Sequence, residues 1–198
     1  MLDNSVGKDI MLMRKLEPKS LLLLMILVVF ALISCSIGGS RTEMINNSNI
    51  EKDMEARLEK IVEAINRKDK EALEAVFSKK SRSDSNDIVE SINSLFDFIQ
   101  GTINTRERAS GSTVFESNDY GHQIIEVSSY YFVNTDIQKY FFLLRDYPVD
   151  TDNPDNVGVY TLLVVRADEE EKIWDGDNKI IYDGDTKLSH AGIYLPLK

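Results

Sequence analysis

The sequence predicts an α+β domain in which three helices precede an antiparallel sheet. Three observations carry this. Between Ile50 and Ile99 apolar residues recur every three or four positions; past Gly101 the period falls to two; and turn-forming residues cut the second part into strand-length pieces.

The first helix carries the stripe Ile50, Met54, Leu58, Ile61, Val62 and Ile65, with Ser48 or Asn49 placed to cap it. Asn66-Arg67-Lys68-Asp69 is a polar break, and Asp69 caps a shorter second helix that presents Leu73, Val76 and Phe77. Residues 78–87, SKKSRSDSND, read as a polar loop. Asp87 with Glu90 makes a capping-box-like start for a third helix, whose stripe is Ile88, Ile92, Leu95, Phe96 and Ile99. Gly101 stops it, because glycine enters the left-handed region without a Cβ penalty.

Strands are expected at 103–116, 122–134, 138–147 and 157–167, with a short one near 171–174. Asn118-Asp119 with Gly121, Asn134-Thr135-Asp136, the segment Pro148–Asn156, and Asp168 with its glutamates separate them. The run Tyr140-Phe141-Phe142-Leu143-Leu144 is apolar at every position. A half-solvated antiparallel strand would alternate, so both faces of this one are expected to be covered.

Upstream, Leu21–Ile33 is an unbroken run of 13 apolar residues preceded by Arg14, Lys15 and Lys19. A membrane-crossing helix needs about 20, whereas the apolar core of a signal peptide needs roughly 7–15. Leu32-Ile33-Ser34-Cys35 resembles a bacterial lipobox. That resemblance implies a diacylglyceryl group on the Cys35 sulfur, cleavage before Cys35, and a location on the extracytoplasmic face of the cell membrane. Lipid is then the first partner, since two or more acyl chains anchor a protein stably where one does not. The expected organisation is a signal peptide at 1–34, a flexible tether at 35–49 and one domain at 50–198. Cys35 is the single cysteine, so the domain must fold without an internal disulfide.

The net charge is −10, and removing residues 1–34 leaves the remainder more acidic still. An acidic chain cannot neutralise phosphates, which argues against a nucleic-acid partner.

The stretches AINRKDKEALEAVFS, IVESINSLFDFIQG, NTDIQKYFFLL and NPDNVGVYTLLVV together resemble a family of small Gram-positive lipoproteins without an assigned function. The resemblance covers about residues 50–168. It implies a nuclear transport factor two-like, cystatin-like cone, in which a curved sheet wraps the helices around a pocket. That cone hosts enzymes, binding modules and dimerisation domains, so it does not by itself name a function.

No nucleophile elbow, phosphate loop or zinc-binding motif occurs, so no catalytic residue is assigned and no cofactor is expected. His122 and His190 are far apart; His122 follows Gly121 at a strand start and reads first as a turn residue. Asp150-Thr-Asp152-Asn-Pro154-Asp155 begins like a calcium loop, but Pro154 takes a ligand position, the sixth place lacks glycine, and Thr161 stands where the bidentate glutamate belongs. The near-repeat IWDGDNK (173–179) and IYDGDTK (181–187) reads as two tight Asp-Gly turns, and no metal site is assigned.

Alternate residues of a curved sheet face inward, so Tyr130, Tyr140, Arg145 and His122 are the candidate ligand-binding set. The competing reading packs both tyrosines in the core and pairs Arg145 with Asp146 or a helix glutamate. The expected function is non-catalytic binding of a small molecule or protein partner. A hydrolase or isomerase using the cone pocket is the rival, and a protein–protein module acting through an exposed sheet face is the third possibility.

Overall fold

The computed structural model describes residues 37–177, 179–181 and 190–195, with side chains from residue 49 onward. Helix α1 spans Ile37–Arg67 and buries Met54, Leu58, Ile61, Val62 and Ile65, the stripe its spacing predicts. It begins at Ile37, upstream of the caps expected at Ser48 or Asn49, within the stretch read as a coil. Once a packed stripe nucleates a helix, extending it by polar residues costs little. Lys68 turns the chain with φ of 51°, and Asp69 accepts from the Ala72 amide at 2.9 Å to cap α2, Lys70–Val76.

The loop expected at 78–87 contains a further helix, α3, at Lys79–Asp84. The described residues therefore hold four α-helices, not three. Helix α3 has no apolar stripe, which is why no periodic signal marks it; distant partners hold it instead. The buried Ser81 hydroxyl donates to the Tyr160 carbonyl at 2.6 Å and accepts from the Gly192 amide at 2.9 Å. Helix α4, Ile88–Phe98, starts on Asp87, which accepts from the Glu90 amide at 2.9 Å.

The helix ends before Gly101, on Ile99 in extended conformation, and Gly101 with φ of +83° turns the chain two residues later. A Cβ there would lie 2.1 Å from the Asp136 carboxylate oxygen that accepts the Thr102 amide at 2.7 Å. Gly101→Ala is expected to cost about 2–3 kcal/mol, from left-handed strain and that displaced hydrogen bond. Urea denaturation checks it, and an unchanged midpoint would contradict the assignment.

Six strands follow: β1 Ile103–Arg108, β2 Thr113–Asp119, β3 His122–Thr135, β4 Lys139–Asp150, β5 Gly158–Arg166 and β6 Gly192–Tyr194. The order is β1-β3-β4-β5-β6, with β2 also paired to β3. The single strand expected at 103–116 is broken at 109–112, so β1 pairs with the end of β3 and β2 with its beginning. The two-residue turn of the β2–β3 hairpin is Tyr120-Gly121, both at positive φ.

The short strand expected near 171–174 is instead part of a 3₁₀ turn at Ala167–Ile173. The expected all-antiparallel sheet is mixed, because β6 joins β5 in parallel. A parallel neighbour needs a long return connection, and residues 167–191 provide it. The architecture is α+β, with helices packed on an open mixed sheet.

Strand β4 is covered on both faces, as its unbroken apolar run predicts. Tyr140, Phe142 and Leu144 join the helix-side core with Tyr131, Leu162 and Val164. Phe141 and Leu143 join a second core with Leu163, Val165 and Ile173, against which Tyr130, Phe132 and Trp174 pack. Pairing slips twice along β4, between Ile125 and Val127 on the β3 side and between Arg145 and Asp146 on the β5 side. Pro148 lacks the N–H that a continuous ladder would need there. The two slips bracket Asp146.

Candidate functional site

Strand alternation carries the inward row Tyr140, Phe142, Leu144 on to Asp146, a carboxylate on the helix side of the sheet. Its side chain is 0 % exposed, and its Oδ2 lies 2.8 Å from Nε of Arg57 on α1. That contact is a close ion pair outside hydrogen-bond geometry, and among the described residues neither carboxylate oxygen accepts a hydrogen bond. Its strand partners Val127 and Val159 are apolar. Burial raises the Asp146 pKa to about 6 against the opposing pull of Arg57, and the Asp53 carboxylate adds to the rise.

Arg57 faces two ways. Its side chain is 29 % exposed, and it also lines a cleft of about 270 Å³ between α1 and α2. Helical spacing puts Arg57, Lys60, Ala64 and Arg67 along one side of α1, next to the buried Leu58, Ile61 and Ile65. Helix α2 contributes Ala72, Ala75 and Val76. Both acidic groups in the cleft are engaged: Glu63 pairs with Arg67 at 2.7 Å, and Asp69 caps α2. Lys60 has no ion pair among the described residues, and Arg57 has none besides Asp146. The cleft is therefore an apolar floor lined by three cations and two carboxylates, with Lys60 the cation that has no ion pair among the described residues.

The four residues expected to line a pocket do not converge. Tyr140 is fully buried; its hydroxyl accepts from the Gln100 amide at 2.8 Å and donates to the Phe98 carbonyl at 3.2 Å, tying β4 to the end of α4. Tyr130 belongs to the opposite face, packed on Phe141 and Trp174. Arg145 pairs with Glu126 at 3.0 Å, and the expected alternative pairing with Asp146 does not form because adjacent strand residues point to opposite faces. Glu126 also accepts from the Tyr147 hydroxyl at 3.0 Å, and burial together with that carboxylate pushes the Tyr147 pKa well above the usual phenol range. His122 stands exposed at the start of β3, its Nδ1 2.5 Å from Asp152. Cys35 lies outside the described residues.

The Asp150 carboxylate accepts the amides of Asp152 and Asn153 and the Asn156 side chain, so the calcium-like stretch is closed by its own backbone. The first Asp-Gly motif is a tight turn: Asp175 accepts the Asp177 and Lys179 amides, and Trp174 bridges to Ile180. The second falls mostly outside the described residues. Another open cleft, of about 280 Å³, lies between α4 and β6; its walls include Asp87, Glu90, His190 and Tyr194.

Asp146, Arg57 and Lys60 were absent from the expected set. For Asp146 the signal was available, since an acid two positions beyond Leu144 continues an inward apolar row. For Arg57 and Lys60 nothing distinguished them from other charges on an exposed helix side.

The family model described as Domain of unknown function (DUF5104) matches residues 60–167, which takes in the last eight residues of α1, all of α2, α3 and α4, and strands β1 to β5. No curated protein matches the chain.

Proposed function

We propose that this chain, which belongs to the DUF5104 family, is a lipoprotein held on the extracytoplasmic face of the membrane through Cys35, and that its domain binds a small molecule without catalysis. The observation that carries the binding half is the cleft between α1 and α2, with Arg57 and Lys60 beside an alanine and valine floor. Its volume is close to the lower end of small-molecule sites, about 300 Å³. Convergent polar groups on an apolar surface are what such sites use to orient a ligand. The cone architecture that the resemblance implies is supported by the two register shifts around Asp146, since bulges bend a sheet.

The enzymatic alternative is weaker. Asp146 has the raised pKa of a general acid, but it is enclosed and lies away from His122 and Tyr140. The interaction-module alternative calls for a bare apolar sheet face, and Trp174 and Ile173 cover that side of β4 and β5.

The anchoring half rests on the 13-residue apolar run and the lipobox-like Leu32-Ile33-Ser34-Cys35. Among the described residues no helix is long and apolar enough to cross a membrane. Membrane fractionation of cells expressing Cys35→Ala is expected to move the protein from the membrane pellet to the soluble fraction. Mass spectrometry of the wild type should show a modified sulfur at a new N-terminus. Retention of the variant in the membrane, or a wild-type chain with its leader intact and a free thiol, would end this reading.

A further inference from the structure

We infer that the cleft between α1 and α2 takes a small organic oxyanion, a carboxylate or phosphate on a short apolar body, with Arg57 and Lys60 holding the charged end. This rests on the cleft being the small-molecule site proposed above.

The argument is one of charge accounting within the cleft. Three cations and two carboxylates line it. Arg67 and Glu63 neutralise each other, while Asp69 keeps its charge with one oxygen turned to the Ala72 amide at the α2 cap. The cations left facing the space are Lys60 and the part of Arg57 not turned to Asp146. Those two positions are three apart on α1, so both heads can reach one ligand group. A guanidinium has donors on three nitrogens; its Nε lies 2.8 Å from Asp146, and its side chain, 29 % exposed, still reaches the cleft, where a planar donor fork suits an oxyanion. Below the charged pair, Ala64, Ala72, Ala75 and Val76 offer a shallow floor suited to a few methylenes. A cationic ligand would meet repulsion from both heads. A neutral one would gain no charge-assisted contact from either head.

Asp146 sits behind this site as a competitor. Arg57 divides its charge between the buried carboxylate and the cleft, so weakening the inner partner should strengthen the outer one. Neutralising Asp146 is thus expected to tighten oxyanion binding, an effect that a generic basic surface would not show.

The test uses the full chain with backbone amide NMR and four probes of equal length: hexanoate, hexyl phosphate, hexanol and hexylammonium. Hexanoate and hexyl phosphate are expected to shift the amides of Ala64, Ala72 and Ala75, and hexanol and hexylammonium to bind at least about tenfold more weakly. Lys60→Met, which removes an exposed charge without disturbing packing, should weaken both anions about five- to tenfold. Asp146→Asn should tighten them several-fold, with circular dichroism confirming a folded protein. The better of the two anions tells whether carboxylate or phosphate is the preferred group. Equal binding of hexanol, or no response to Lys60→Met, overturns the oxyanion assignment while the cleft stays a small-molecule site. Failure of all four probes to shift the cleft amides overturns both.

Discussion

Arg57→Met is expected to cost about 1–1.5 kcal/mol of stability at pH 7 through its charge and close to nothing near pH 5. The reason is geometric. Asp146 is fully enclosed, and Arg57 is the one cation paired with it among the described residues. Taking away one member of a buried pair leaves the other desolvated and unpaired, which costs several kcal/mol where the site is sealed. The figure here is smaller because the enclosed carboxyl, with a folded pKa of about 6, can take up a proton at pH 7 once its partner is gone.

The pH dependence follows from the direction of the Asp146 shift. Its folded pKa is about 6 against an ordinary value of 3.8, so the native state holds the proton more tightly than the unfolded chain. Stability from this group is complete below the unfolded value and is lost as pH rises through about 6. The wild type should therefore gain stability on going from pH 7 to pH 5, by about 1.3 kcal/mol. In Arg57→Met the remaining carboxyl is raised further, and protonation relieves most of the defect. Chemical denaturation at both pH values measures this. A deficit of equal size at pH 7 and pH 5 would mean that Arg57 stabilises through its methylenes and not its charge.

Phe142→Ala should be the more damaging of the two, at about 3–5 kcal/mol with little pH dependence. Phe142 is fully buried on the central strand β4, between Tyr131 of β3 and Val164 of β5 on the helix-side core. Removing the ring costs its transfer from water plus the cavity it leaves, and strands fixed on both sides have little freedom to collapse into that space. Phe115 on β2 is the control: it is 60 % exposed, and its truncation should stay within about 0.5 kcal/mol. A small effect at Phe142 would contradict its enclosure in the helix-side core.

Much of this fold was legible because periodicity is a local record of burial. The stripes of α1 and α4, the cap at Asp69 and the left-handed turn at Gly101 each depend on residues a few positions apart. So does the run 140–144, whose lack of polar alternation announced two covered faces. Helix α3 escaped notice because its support comes from Tyr160 and Gly192, far along the chain. The parallel placement of β6 was hidden for the same reason, as three residues carry no directional signal.

Of the candidate site, far less could be read. Tyr130 and Tyr140 seemed to share an inward surface, yet the nine intervening positions contain a strand end and a turn, and their faces differ. The counting of alternation restarts at every turn, so it relates residues within one strand and not across two.

By itself the sequence determined the α+β order of elements, the amphipathic faces of the main helices and the buried character of β4, because each follows from spacing along a single segment. Tertiary structure alone decided that Asp146 meets Arg57, that Lys60 joins Arg57 in a cleft against α2, and that both Tyr130 and Tyr140 are packing residues. Those outcomes depend on which segments cross and at what distance, and charge pairing or desolvation exists only once they have done so.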